Sequence, residues 1–315
     1  MRKLRIAYCG TPDFSVPTLD MLAHHPLIDL KFVISMPDRP AGRGMELKSP
    51  EVIEYAKTNK IPFFQCENIN REKGFIATLR GLELDFVVVL AFAQFLGEEM
   101  LQIARLGCFN IHTSILPRYR GAAPIQYALM SGDKETGVSI QKMVKKMDAG
   151  DLVHFHRLKI SDNETGGQLY TRLKYLAALS MNDLILKVTE NKLTYEVQDE
   201  AGVTFAPTLK KEDGFLDFAH KKTEQVLNLI RALDPWPGTY CFLNGKRLKV
   251  LTAELYHAKV SPGAVLNDLG SLVVGCQNGA LRLAEVQLEG KKPCSDRELL
   301  NGIKSDLTLT PPKEK

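Results

Sequence analysis

The sequence predicts an α/β chain in two parts, a mostly parallel, Rossmann-like sheet covered by helices on both faces and then a smaller β-barrel domain. Three observations carry this reading. Strand and helix signals alternate through the first half of the chain; Asp85 to Ala91 (D-F-V-V-V-L-A) is apolar without alternation, as a strand covered on both faces must be; and beyond Pro207 the pattern turns to short strands divided by glycine.

Taken in order, Leu4 to Cys9 reads as a buried strand, and Thr11-Pro12-Asp13 opens a helix to about His24, with Thr or Asp placed to cap its free amides. Leu30 to Ser35 is a second strand, Pro50 to Asn59 a helix, Ile61 to Gln65 a short strand, Asp85 to Ala91 a central strand, Gly107 to His112 another, and Pro124 to Met130 the start of a helix. Helical periodicity runs from Gln168 to Val188. The organisation expected is therefore a first domain over 1–189, a polar, extended linker over 190–207 and a second domain over 208–315. The second domain holds a helix from Thr223 to Ala232, the turn Asp234-Pro235-Trp236-Pro237-Gly238, and strands at Thr239–Leu243, Leu248–Glu254, Ser271–Gly275 and Ala280–Val286. In open α/β sheets, ligands bind beyond the carboxyl ends of the strands.

Composition removes several classes of function. With 315 residues, 44% apolar and 25% charged, the chain is long enough for two cores, and no stretch approaches a membrane span. The start fits a first strand better than a secretory signal. Six cysteines lie scattered without C-x-x-C spacing, supporting neither a zinc site nor a disulfide framework, so a reducing cytoplasm is expected. A net charge of +4 is too small to argue for a polyanion by itself. Cys9-Gly10-Thr11-Pro12 after the first strand lacks the further glycines of a dinucleotide fingerprint, and there is no G-x-x-x-x-G-K-[ST] run to clamp a nucleoside triphosphate.

The chemistry concentrates in Asn110 to Ile125, N-I-H-T-S-I-L-P-R-Y-R-G-A-A-P-I. If Asn110 to His112 end a strand, residues i and i+2 share a face, placing an amide donor beside a proton carrier. Met36 to Ser49, with two prolines, two glycines, Arg39, Arg43 and Lys48, reads as a poorly structured, partly basic excursion. His154 and His156 alternate with strand spacing but have no neighbouring metal-ligand cluster in the sequence, and read as structural.

Asn110-x-His112-x-Ser114-x-Leu116-Pro117-x-x-Arg120-Gly121, followed by Met147-Asp148-Ala149-Gly150-Asp151, resembles the signature of folate-dependent formyltransferases. The segments P-D-R-P-A-G-R-G and D-P-W-P-G resemble the branch of that family acting on aminoacyl-tRNA rather than on small amines. The resemblance implies a formyltransferase fold with a C-terminal OB-like barrel, and transfer of a formyl group from 10-formyltetrahydrofolate to the amino group of initiator methionyl-tRNA, with no metal required. It implies that Asn110 donates to the developing oxyanion, that His112 carries a proton, and that Asp148 orients His112 or accepts the amine's proton through water. It also implies a folate site lined by Ser114, Ile115, Leu116 and Pro117, with the loop Phe92, Ala93 and Gln94 holding the pterin through backbone groups. That loop usually resembles A-Y-G, and the alanine at 93 leaves these bonds intact if no positive φ is needed.

On the RNA side the resemblance implies Arg43 in the key loop, with Arg39, Lys210 and Lys211 nearby in role. Met45-Glu46 and Thr208 stand where the family often carries lysines, which should make the dependence of binding on salt shallower. A monomer is expected. The alternatives are a formyltransferase with a small-amine acceptor, such as an amino sugar or glycinamide ribonucleotide, and a noncatalytic folate or RNA binder.

Overall fold

In the computed structural model the described residues are 2–41, 45–303 and 305–311. Two compact units are distinguished. One comprises 1–124, 135–159 and 170–206, and the other 125–134, 160–169 and 207–315.

The first unit contains β1 (Leu4–Gly10), α1 (Val16–His24), β2 (Ile28–Ser35), β3 (Arg39–Ala41), β4 (Glu46–Lys48), α2 (Glu51–Thr58), β5 (Phe63–Gln65), α3 (Lys73–Gly81), β6 (Phe86–Leu90), α4 (Glu98–Leu101), β7 (Cys108–His112) and β8 (Arg120–Gly121). After α5 (Pro124–Met130), which falls in the second unit from Ile125, the first unit continues with β9 (Glu135–Lys142), β10 (Leu152–Lys159), α6 (Gly166–Thr189) from Tyr170 and β11 (Phe205–Ala206). The main sheet runs β10-β9-β7-β6-β1-β2-β5. Its pairs from β5 through β7 are parallel, and β9 and β10 add an antiparallel edge. Every residue of β6 is buried, as its unbroken apolar run requires. The chain builds outward from β1 to β2 and β5, then returns to place β6 on the other side of β1. That reversal makes the carboxyl ends of β1 and β6 the crevice where such sheets take ligands.

Four expectations change here. The helix expected from Thr11 is a short 3-10 turn over Asp13–Ser15 followed by α1, and neither start carries a side-chain cap. The Ser15 hydroxyl donates instead to the carbonyl of Leu90 at 2.7 Å. The excursion 36–49 is not irregular throughout: β3 and β4 pair as a ribbon, Arg39 opposite Lys48. β9 and β10 are strands that the reading of the sequence did not assign. The stretch 190–207 is not a free linker, because up to Ala206 it belongs to the first unit: Glu196 exchanges backbone bonds with Leu152, and β11 pairs with β8.

The second unit is built on an antiparallel sheet of β12 (Thr239–Leu243), β13 (Lys246–Tyr256), β14 (Val265–Asp268), β15 (Ser271–Cys276), β16 (Gly279–Leu288) and β17 (Cys294–Ser295), with α7 (Thr223–Ala232) and α8 (Asp296–Asn301). Its path, β12-β13-β16-β15-β14 with β17 on β16, is barrel-like. Residues two apart on its strands, Leu248 and Val250, Leu272 and Val274, Leu281 and Leu283, fill one core with Val226 and Ile230 of α7. All six cysteines are free, and burial pushes the thiols of Cys108 and Cys241 up to about 12.

Candidate active site

Asn110 and His112 lie two apart at the carboxyl end of β7 and face β9, where Gln141 stands opposite Asn110 and Ser139 opposite His112. Asp148 reaches the same point from the loop after β9, with φ +50. Its Oδ1 accepts from Asn110 Nδ2 at 3.3 Å and from Gln141 Nε2 at 2.9 Å, and its Oδ2 accepts from the Gly121 amide at 2.9 Å. His112 Nδ1 lies 3.7 Å from Oδ2, beyond a direct hydrogen bond but close enough for strong attraction once the ring is charged. The three expected catalytic side chains therefore converge.

His112 is 6% exposed, and its Nε2 lies 2.8 Å from the carbonyl oxygen of Tyr119. A carbonyl only accepts, so Nε2 carries the hydrogen and the neutral ring presents its lone pair at Nδ1, toward Asp148. The atom able to take a proton is thus Nδ1, and the imidazolium it would form faces a carboxylate. Asn110 uses one amide hydrogen on Asp148 and keeps a second.

The scaffold holding Asp148 escaped the sequence reading. Gln141 Oε1 accepts from the Gly150 amide at 3.0 Å, and Gln198 Nε2 donates to the carbonyls of Asp148 and Gly150 at 2.9 and 2.7 Å. Gln198 in turn accepts from Arg120, which is 1% exposed and also reaches Glu200. Two glycines are obligatory in this arrangement: a Cβ at Gly150 would overlap the Lys142 carbonyl, and one at Gly121, where φ is +128, would come within 2.5 Å of the Ala206 carbonyl. The signal available in the sequence was the alternation of Ser139 and Gln141 in a strand, which puts two polar groups on a buried face. Gln198 gave none, since it becomes buried only through long-range packing.

The expected folate residues divide. Phe92 is 2% exposed with its side chain packed in the core, and its carbonyl accepts from the Thr11 hydroxyl. The Gln94 side chain is taken up by Ile69, Cys66 and Met36. The Ser114 hydroxyl donates to the Arg118 carbonyl and shapes the turn that contains the cis Leu116–Pro117 bond. Leu116 is buried, while Ile115 and Pro117 are half-buried. Ala91 and Ala93 are exposed and left-handed, φ +49 and +62, so a positive φ is needed at 93 after all.

Of the expected RNA contacts, Arg43 lies outside the described residues. Arg39 pairs with Glu67 at 2.6 Å on the surface. Lys210 and Lys211 are exposed near the start of the second unit's last segment, 207–315. His154 and His156, expected without a ligand cluster, have Asp183 of α6 beside them, and burial together with the Lys187 ammonium pushes the His154 ring down to about 4.

Residues 3–184 match the formyl transferase family, and residues 208–304 match the formyl transferase C-terminal domain. The chain belongs to the formyltransferase family. This formyltransferase is 39% identical over 305 residues, 96% of its own length and 97% of the relative's, to a methionyl-tRNA formyltransferase of Geobacter metallireducens. It is 38% identical over 303 residues to the protein of that name from Magnetococcus marinus, with 96% of each chain covered. Among solved structures, the N-formyltransferase of Helicobacter canadensis in complex with folinic acid and dTDP-3-aminofucose superposes with a TM-score of 0.66 at 18% identity, covering 90% of this chain and 98% of that one. HypX of Aquifex aeolicus in complex with tetrahydrofolic acid gives 0.60 at 15%, covering 98% of this chain and 50% of that one. The formyltransferase is a one-carbon transferase. Among the described residues no helix is long and apolar enough to cross a membrane.

Proposed function

We propose that this formyltransferase moves the formyl group of 10-formyltetrahydrofolate to the amino group of methionine on initiator methionyl-tRNA. The observation that carries the reading is near-complete coverage of relatives bearing that name, the C-terminal domain included, at 36–39% identity. The functional parts are a catalytic domain over 1–189, completed by the stretch through Ala206 that holds Asp148 in place, and a tRNA-binding OB-like domain over 208–315.

The donor supplies an activated formyl carbon bonded to a nitrogen leaving group. When the methionine amine attacks that carbon, a C–N bond forms, the carbonyl oxygen gains charge, the amine must lose a proton and the departing nitrogen must gain one. His112 Nδ1 takes the first proton and returns it to the leaving nitrogen. The second amide hydrogen of Asn110 donates to the oxyanion, and Asp148 steadies the transient imidazolium while acting as orienter rather than base. A flat pterin needs main-chain donors and acceptors beside apolar walls; the left-handed, exposed positions Ala91 and Ala93 beyond β6, with Ile115, Leu116 and Pro117 beyond the adjacent β7, suit it. Arg43, together with Arg39 of the ribbon and with Lys210 and Lys211, is assigned to tRNA phosphates. Convergence of Asn110, His112 and Asp148 within one chain supports a monomeric enzyme, and a tRNA acceptor supports a cytoplasmic one.

The test is formylation of initiator methionyl-tRNA with 10-formyltetrahydrofolate by the wild type, His112→Ala and Arg43→Ala. The first variant should lose about 10²–10⁴-fold in turnover, and the second should weaken the tRNA reaction selectively. Formylation of an amino sugar with none on tRNA would overturn the acceptor.

A further inference from the structure

His154 and His156 project from the same face of the edge strand β10, two residues apart. Across from them α6 presents Ser180, Asp183 and Lys187 along one side, at spacings of three and four residues. Asp183 Oδ2 lies 3.2 Å from His156 Nε2 and 3.6 Å from His154 Nε2, and one ligand atom from each of the three residues falls within 4.8 Å of the others. With metal–ligand bonds of about 2.0–2.1 Å, ligand atoms around a tetrahedral zinc ion stand about 3.3 Å apart. The two measured separations bracket that value.

The hydrogen bonding around the rings points the same way. The Ser180 hydroxyl donates to the Leu176 carbonyl, so it accepts from His156 Nδ1 at 2.9 Å. Neutral His156 therefore holds its hydrogen on Nδ1 and turns the Nε2 lone pair toward the Asp183 carboxylate, a pairing of two acceptors that is favourable only with a proton or a metal cation between them. A histidine ligand oriented through its other nitrogen is the usual arrangement in metal sites. His154 Nε2 is buried and has no hydrogen-bond partner, and the ring is 13% exposed against 35% for Asp183, which leaves a way in from solvent.

We propose that His154, His156 and Asp183 form a binding site for a divalent cation of the zinc class, held through two imidazole nitrogens and one carboxylate oxygen, with water in the fourth position. The site uses none of the residues of formyl transfer. Its effect is to fasten the sheet edge to the long helix, stabilising the folded chain by mass action. Lys187 opposes it. Nζ donates to the Val153 carbonyl at 3.3 Å and to His154 Nδ1 at 3.1 Å, which keeps the hydrogen of neutral His154 on Nε2. On binding, that hydrogen leaves Nε2 for solvent and another is taken up at Nδ1. Lys187 then releases the ring and retains the Val153 carbonyl, so no net proton is exchanged at His154.

The experiment is calorimetric titration of zinc chloride into the chelator-treated full-length chain, comparing wild type, Asp183→Asn, His156→Gln and Lys187→Met. The wild type should bind one ion per chain and melt at higher temperature with it. Asp183→Asn and His156→Gln should each lose at least about tenfold in affinity, and Lys187→Met should gain about tenfold by removing a neighbouring positive charge. Metal-free melting curves of the Asp183→Asn and His156→Gln variants that match wild type exclude misfolding as the cause. Absence of zinc binding by the wild type overturns the site; so does unchanged binding in both ligand variants, which would locate the ion elsewhere, for example at the half-buried Cys294.

Discussion

Asp148 of the first unit and Asp296 of the second are both held by several donors, and the two carboxylates are treated in opposite ways. Asp296, wholly buried, receives both ends of the Arg282 guanidinium at 2.7 and 2.9 Å and the Leu272 amide at 3.1 Å. Its charge is cancelled by a permanent cation. Asp148, with its side chain 11% exposed, is surrounded by the neutral donors Asn110, Gln141 and the Gly121 amide, and its remaining neighbour is a histidine that becomes cationic only on taking a proton. Neutral donors fix the position of a carboxylate without using up its charge. The first arrangement holds a sheet together; the second keeps a negative charge in reserve for a positive charge that comes and goes.

The sharpest way to break this contrast is Asp148→Asn. The amide keeps the shape but loses the charge, and whichever way it is turned its NH₂ meets another donor, from Gly121 on one side or from Gln141 and Asn110 on the other. Turnover should fall by about 10²–10⁴-fold, while stability should fall by only about 1–3 kcal/mol. Paired measurements of kcat and thermal melting decide it. A variant retaining turnover within a few-fold would mean that the charge of Asp148 is not used.

Asp296→Ala should act the other way round. It strands a partly buried guanidinium, at a cost of about 3 kcal/mol, the lower end of the range for broken buried pairs because Arg282 is 25% exposed and keeps Glu254. Turnover per folded molecule should not change. The pair also sets an acid limit. Burial works to raise the Asp296 carboxyl, but Arg282 and the amides of Leu272 and Arg297 outweigh it and hold the group below the ordinary carboxylate range. Its contribution is therefore complete above the unfolded value of about 3.9 and is lost as pH falls through the lower folded value. Chemical denaturation at neutral pH and again below pH 4 should show the difference between wild type and Asp296→Asn shrinking with acid. A constant difference would assign the stability of this region to packing instead.

What was legible in the sequence follows from how local each feature is. The run Phe86 to Leu90 is a buried strand because nothing polar interrupts it, and Asn110 and His112 share a face because a strand has period two. Gln198 and Glu200 sit in a polar stretch with every local mark of a linker, and are functional support only because β11 pairs with β8 and brings them to Arg120. His154 and His156 likewise look like isolated alternating residues until α6, some thirty positions on, delivers Asp183. Composition reports neither, since both depend on contacts between distant segments.

The smallest expected effect concerns the loop after β6, where Ala93 stands at a position for which the family resemblance implies a glycine. Ala93 has φ +62 and is exposed, so its methyl group packs into nothing that would repay a left-handed backbone, which costs a non-glycine residue roughly 1–2 kcal/mol. Ala93→Gly removes that cost but adds unfolded-state freedom of about 0.4–1 kcal/mol. The net should be a gain of about 0.5 kcal/mol, close to the resolution of a careful denaturant titration, with KM for the folate donor shifted no more than a few-fold because the backbone groups stay where they are. A clear loss of stability would show that the left-handed turn is held in place by contacts of the Ala93 methyl group, and the neighbouring Ala91, at φ +49, would then be the position where the strain resides.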